Sequence, residues 1–223
     1  MNSSFRRSFP LSVVPPVPFH EPDIVAIHKQ AIVSAIRWAW DKLKRTEPLL
    51  LSGGSEEEIT ERLQTLLNER RSGRRLASWL QDFETVERGA SQRTADGRIG
   101  KKPDMVFRPP AYDSVVNTTR WGWFVECKIV DGAASVTAYR DNGVYRFASG
   151  EYAAWMASGA MLGYVRDGAK PVPTLDGPLK GKVGTKWHNL GPDSSQSTSE
   201  HDRSGLVNKC IDITLTHIWL PAK

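Results

Sequence analysis

The sequence predicts an α/β domain, a mixed central sheet flanked by helices, and three observations carry that prediction. Apolar residues recur at helical spacing through the first third of the chain, from Ile24 to Leu43 and again from Ile59 to Leu67. Shorter apolar or alternating runs follow at Met105–Phe107, Trp121–Val130, Met161–Arg166 and Cys210–Trp219, which have the lengths of strands. A helical-looking piece, Gly150–Met156, lies between the strands, so the core order is helix, three strands, helix, strand.

The elements justify themselves in turn. Pro10, Pro15, Pro16 and Pro18 make residues 1–22 an extended arm. Pro22-Asp23 then starts a helix whose stripe of Ile24, Ile27, Ala31, Ile32, Ala35, Ile36, Ala39 and Leu43 runs to Lys44-Arg45, cations suited to the negative helix end. Trp38 and Trp40 fall on different sides of it. Ser52-Gly53-Gly54 breaks the chain, and Ser55-x-x-Glu58 forms a capping box that opens a second helix. On that helix Ile59, Leu63, Leu66 and Leu67 make one stripe, with Glu56 on its edge and Glu57, Glu58 and Glu61 pointing away. A basic knot, Arg70, Arg71, Arg74 and Arg75, closes it.

Leu80–Val86 reads as the first strand and Gly89–Gly100 as a polar turn. Met105–Phe107 is the second strand, ended by Arg108-Pro109-Pro110, and Trp121–Val130 the central third, ended by Asp131-Gly132. Val136–Gly143 is read as turn-rich, and Met161–Arg166 as the fourth strand. Residues 167–205 turn to proline, glycine and serine and are expected to form a long polar loop. Residues 206–223 return as a closing strand on the same domain, which begins at residue 23.

Composition narrows the function classes. A chain of 223 residues, 39% hydrophobic with eight tryptophans, is long enough for a sizeable core. Its formal net charge of +5 favours anionic partners, nucleic acid ahead of a membrane surface. Two cysteines, Cys127 and Cys210, cannot build a disulfide framework, which makes a reducing, cytoplasmic setting the expectation. No apolar run reaches the length of a membrane span, and Phe9–Pro16 is too short and too rich in proline for a signal core. The five histidines are scattered and neither cysteine has a partner at zinc spacing, so zinc is discarded. No glycine-rich phosphate loop is present.

The chemistry concentrates in Lys101-Lys102-Pro103-Asp104 and, some twenty residues on, Glu126-Cys127-Lys128 inside the apolar run. Period-two alternation sends Glu126 and Lys128 to one face of the strand and Val125, Cys127 and Ile129 to the other. Burying a carboxylate and an ammonium in such a run is costly unless each has a partner or a task. Pro103-Asp104 followed by Glu126-x-Lys128 resembles the PD-(D/E)XK nuclease superfamily, over residues 50–166. The resemblance implies a restriction-endonuclease-like core and a metal-dependent endonuclease that cuts DNA, RNA being the lesser choice, in restriction, phage defence or DNA processing.

It implies further that Asp104, Glu126 and the backbone carbonyl of Cys127 hold Mg²⁺, with Mn²⁺ able to substitute, and that Lys128 orients the reacting groups. Glu56 takes the place of the additional acid that many members carry on the preceding helix, although a solvated acidic first turn explains it equally. Arg74, Arg75, Lys101, Lys102 and Arg146 are candidate phosphate contacts. For Arg146 the alternative is a surface ion pair with Glu151 or Asp141, and for Asp104, Glu126 and Lys128 a cross-strand salt bridge at a sheet edge. A homodimer, or a larger restriction or defence complex, is the expected assembly, since double-strand cleavage needs two centres. The alternative function is a non-catalytic nucleic-acid-binding or assembly subunit that has kept the fold.

Overall fold

A computed structural model of the chain describes residues 20–72, 83–89, 100, 102–110, 114–115, 117–166, 186–189, 195–206 and 211–223. Helix α1 (Ala26–Thr46) begins after Ile24 and buries the later part of the predicted stripe, Ile32, Ala35, Ile36, Ala39 and Leu43, whereas Ile27 in its first turn is exposed. Trp40 lies on that face, stacked on Tyr164 at 5.2 Å, and its Nε1 donates to the carbonyl of Pro221 at 2.8 Å. Trp38 faces elsewhere, with the Arg70 guanidinium 4.5 Å from its ring centre. Residues 20–22, assigned to the extended arm, are partly docked: Trp121 Nε1 donates to Pro22 O at 2.9 Å, and the Asn117 amide donates to the buried Glu21 carboxylate at 3.0 Å.

After the short α2 (Pro48–Gly53), α3 (Glu56–Ser72) opens with the capping box read from the sequence. The Ser55 amide donates to Glu58 Oε2 at 2.7 Å, and the Glu58 amide donates back to Ser55 Oγ at 3.2 Å. Six strands form one sheet: β1 (Met105–Phe107), β2 (Trp123–Val130), β3 (Ser158–Val165), β4 (Lys186–Asn189), β5 (Gln196–His201) and β6 (Ile213–Pro221), in the order β1-β2-β3-β6-β5-β4. The pairs β2–β3 and β3–β6 are parallel and the rest antiparallel, so the sheet is mixed. Among the described residues no helix is long and apolar enough to cross a membrane.

Three expectations are corrected. The described part of the expected first strand, Phe83–Val86, forms no strand; the segment Phe83–Gly89 runs along β1 through Glu84 N to Arg108 O, Val106 N to Glu87 O and Gly89 N to Pro103 O, with one bridge at Glu87. The helix expected at Gly150–Met156 lies earlier, where turns were read. It comprises α4 (Gly132–Tyr139), a π-turn over Arg140–Val144 and α5 (Tyr145–Ala148). Gly132, Ser135, Thr137 and Gly143 are poor helix formers, but burial of Val136, Tyr139, Val144 and Phe147 against the sheet overrides propensity. The step of five from Tyr139 to Val144 is what a π-turn accommodates while keeping both inward.

The supposed loop of 167–205 contains β4 and β5. Ser197, Ser199 and His201 alternate inward on β5 and are buried because each meets a polar partner. Trp219 Nε1 donates to Ser197 Oγ at 3.3 Å. Ser199 Oγ lies 2.7 Å from His201 Nε2 and 2.8 Å from His217 Nε2, and His217 Nδ1 lies 2.8 Å from the Tyr139 hydroxyl.

Burial depresses both histidines, His217 well below its ordinary value and His201, with help from the Arg203 charge, to about 4. The stability they contribute is complete above the unfolded value near 6.5 and is lost as pH falls towards 4. Urea unfolding at pH 7 and pH 5 should therefore show His201→Gln losing less stability than the native protein across that interval. Equal losses would remove His201 as a source of acid sensitivity.

Candidate active site

The site forms where β1 stops. Met105 is the last residue of β1 to pair with β2, opposite Val125, and beyond it the amides of β2 turn to side chains. Cys127 N donates to Asp104 Oδ2 at 2.8 Å, and Ile129 N donates to Glu56 Oε2 at 3.1 Å. Helix α3 positions these partners with a polar stripe beside its apolar one. At successive helical turns Glu56 reaches β2, Thr60 meets the Tyr164 hydroxyl at 3.0 Å, and Gln64 Nε2 donates to the Asp104 carbonyl at 2.7 Å. Gln64 was missed in the sequence, although its spacing of four and eight residues from Thr60 and Glu56 was the available signal.

Lys128 stands at the centre. Its Nζ is 2.7 Å from Glu56 Oε1, 2.9 Å from Glu126 Oε1 and 3.9 Å from Asp104 Oδ2, and it donates to Cys127 O at 2.6 Å. The four side chains singled out in the sequence thus converge. Gly143 in the π-turn permits the close cover: a Cβ there would come within 2.3 Å of Met161 Cε and 3.7 Å of the Lys128 stem. Burial disfavours the Lys128 charge, but Glu126, Glu56 and Asp104 outweigh it and hold the ammonium protonated, its pKa raised. Burial, then the Asp104 charge, pushes Glu126 up to about 7 against the opposing pull of Lys128 and Arg146.

Arg146 does not pair with Glu151 or Asp141 as the alternative had it; Asp141 pairs with Arg140. Arg146 Nη1 instead donates to Glu126 Oε1 at 2.7 Å and to the Tyr152 hydroxyl at 2.9 Å, and that hydroxyl donates to Lys102 O at 3.1 Å. Lys102 is exposed, whereas Arg74, Arg75 and Lys101 lie outside the described residues. Cys127 is fully buried, its thiol pKa raised chiefly by that burial, which suits a core residue. Beside the centre is a cleft of about 530 Å³ whose lining includes Glu56, Glu57, Glu61, Asp104 and Arg88, the last with Nη1 3.4 Å from Glu57 Oε1. Four carboxylates against one guanidinium repel a polyanion unless cations intervene.

The donor set fits a hard divalent cation in a limited way. Among the described residues no group of three or more His, Cys, Asp or Glu side chains is placed to hold a metal ion. Glu126 Oε2, however, is buried without a hydrogen-bond partner, while Oε1 receives both cations. Glu126 Oε2 is thus an uncommitted buried carboxylate oxygen, the kind of ligand Mg²⁺ prefers, while Asp104 Oδ2 already accepts from the Cys127 amide and the Cys127 carbonyl from Lys128.

No family model, curated protein or solved structure matches the chain. What fold and site define by themselves is an α/β domain with a buried acid–lysine centre at the margin of a mixed sheet.

Proposed function

We propose that the chain is a metal-dependent endonuclease with a restriction-endonuclease-like core, hydrolysing phosphodiester bonds in DNA. The observation that carries the reading is the pairing of Glu126, its Oε2 uncommitted, with Asp104 beside the Lys128 ammonium. Asp104, Glu126 and the Cys127 carbonyl are the groups that would hold Mg²⁺. When bound, the ion would stabilise the charge that develops on the phosphate. Lys128 keeps its proton and presents positive charge to the same region. Glu56 orients Lys128, and Arg146 orients Glu126. In the reaction a water oxygen would bond to phosphorus and give up a proton to solvent, the bond to the leaving oxygen would break, and that oxygen would take up a proton from solvent.

A second reading has its own support. Lys128 is engaged by Glu56 and Glu126 in the arrangement of a structural ion-pair cluster, which suits a non-catalytic nucleic-acid-binding or assembly subunit. The deciding experiment is cleavage of supercoiled and linear DNA with Mg²⁺ or Mn²⁺ by the native chain and by Asp104→Asn. The nuclease reading expects cutting by the native chain and a loss of at least about 100-fold in the variant. Equal cutting by both defeats it, and salt-sensitive DNA binding without any cutting selects the second reading. Restriction, phage defence or DNA processing is the setting we propose. A homodimer is the proposed assembly for double-strand cutting, and light scattering that finds a strict monomer would remove it.

A further inference from the structure

Arg203, just beyond β5, is 1% exposed, an unusual place for a guanidinium. Its donors go to main-chain carbonyls: Nε to Ile211 at 2.6 Å, Nη1 to Phe147 at 3.3 Å and Ala153 at 3.1 Å, and Nη2 to Met156 at 2.8 Å. Its amide donates to Asp212 Oδ1 at 2.9 Å. A buried cation persists only where its hydrogen-bonding capacity is met, and three of these four carbonyls belong to the single segment 147–156.

Within it, Gly150–Met156 was expected to be a helix and is not one. The carbonyls of Ala153 and Met156 point to Arg203, and the backbone is left-handed at Gly150 (φ 74°) and Ala153 (φ 50°). For alanine this conformation costs about 1–2 kcal/mol, so it is held where the surroundings impose it. Between these two residues sits Tyr152. Its amide donates to Arg146 O at 3.0 Å, its ring meets Phe147 edge-on at 5.5 Å, and its hydroxyl bridges Arg146 Nη1 and Lys102 O. The contacts run without a break from Arg203 through the strained segment to Tyr152, then Arg146, then Glu126 Oε1.

We propose that Arg203 is a positioning residue for the Glu126 centre: by fixing the 147–156 segment it sets the Tyr152 hydroxyl, which holds Arg146 on Oε1 and leaves Oε2 uncommitted. The proposal rests on reading Glu126 as a group of the reaction centre. A buried arginine with a purely architectural role would stabilise the fold without governing Arg146.

The test follows the guanidinium ¹⁵N signals of Arg146 in the full-length native chain, in Arg203→Lys and in Tyr152→Phe, alongside DNA cleavage. Resolved Nη signals, the mark of a held guanidinium, are expected in the native chain and should merge in both variants when circular dichroism remains native. Cleavage should fall by about 10- to 100-fold through kcat with KM unchanged. A folded Arg203→Lys whose Arg146 signals stay resolved overturns the proposal. If Arg203→Lys does not fold, Tyr152→Phe decides: signals that stay resolved without the hydroxyl overturn it, since the held segment then has no route to Arg146. A native chain that never cuts DNA defeats the nuclease reading, while the Arg146 signals still decide the role of Arg203.

Discussion

Lys128→Ala is expected to lose about 3–5 kcal/mol of stability in EDTA, and Mg²⁺ is expected to return part of it. Glu126 is almost wholly buried, with Asp104 and Glu56 nearby, and Lys128 is the cation within 4 Å of all three. Its removal leaves Glu126, still held by Arg146, facing Asp104 and the partly exposed Glu56, and truncating one partner of a buried pair costs far more than a surface pair is worth. A divalent cation at the same oxygens offsets that repulsion, so the native chain should be stabilised less by Mg²⁺ than the variant. Urea unfolding with EDTA and with Mg²⁺ measures both quantities. A loss under about 1 kcal/mol would mean that the three carboxylates are solvated enough to stand alone.

Glu126→Gln is expected to separate stability from activity. The ordinary value of this carboxyl is 4.5 and the fold raises it to about 7. A raised acid contributes stability that is fully present below 4.5 and is lost as pH rises through 7. The shift corresponds to something on the order of 3 kcal/mol between those limits. Glutamine keeps the shape and an acceptor for Arg146 but carries no charge at any pH. Above pH 7 the variant should equal or exceed the native chain in stability, and its stability should fall less steeply between pH 5 and pH 8. Cleavage with Mg²⁺ should fall by at least about 100-fold, because the amide cannot replace a ligating carboxylate. A variant that is clearly less stable at pH 8 would show that the charged form is the one the fold favours.

The convergence of Asp104, Glu126, Lys128 and Glu56 was legible because charges in an apolar run demand partners, and both the strand alternation and the α3 stripe told where those partners face. Helices α1 and α3 and strands β1, β2, β3 and β6 were legible from periodicity for the same reason. The helix over 132–148 was not, since its serine, threonine and glycine content speaks against helix and only contact with the sheet decides otherwise. Strand β5 was hidden because its inward residues are serines and a histidine, which read as loop until their buried partners on β6 are known. Arg203 carried no sequence signal: three of the four backbone carbonyls its guanidinium meets are about 50 residues away.

The carboxylates that end the ladder beside β2 also act as guards. Bare amides in a row along a strand margin are a template on which another chain can pair, and polar or charged side chains are a common means of blunting such a margin. Asp104 and Glu56 occupy the amides of Cys127 and Ile129, so two residues of the proposed centre also cover the margin against intermolecular strand addition. Alanine at both positions would uncover the template, and precipitation would then be mistaken for a failure to fold. Asparagine and glutamine keep an acceptor at each amide, which makes them the substitutions that test the chemistry without inviting assembly.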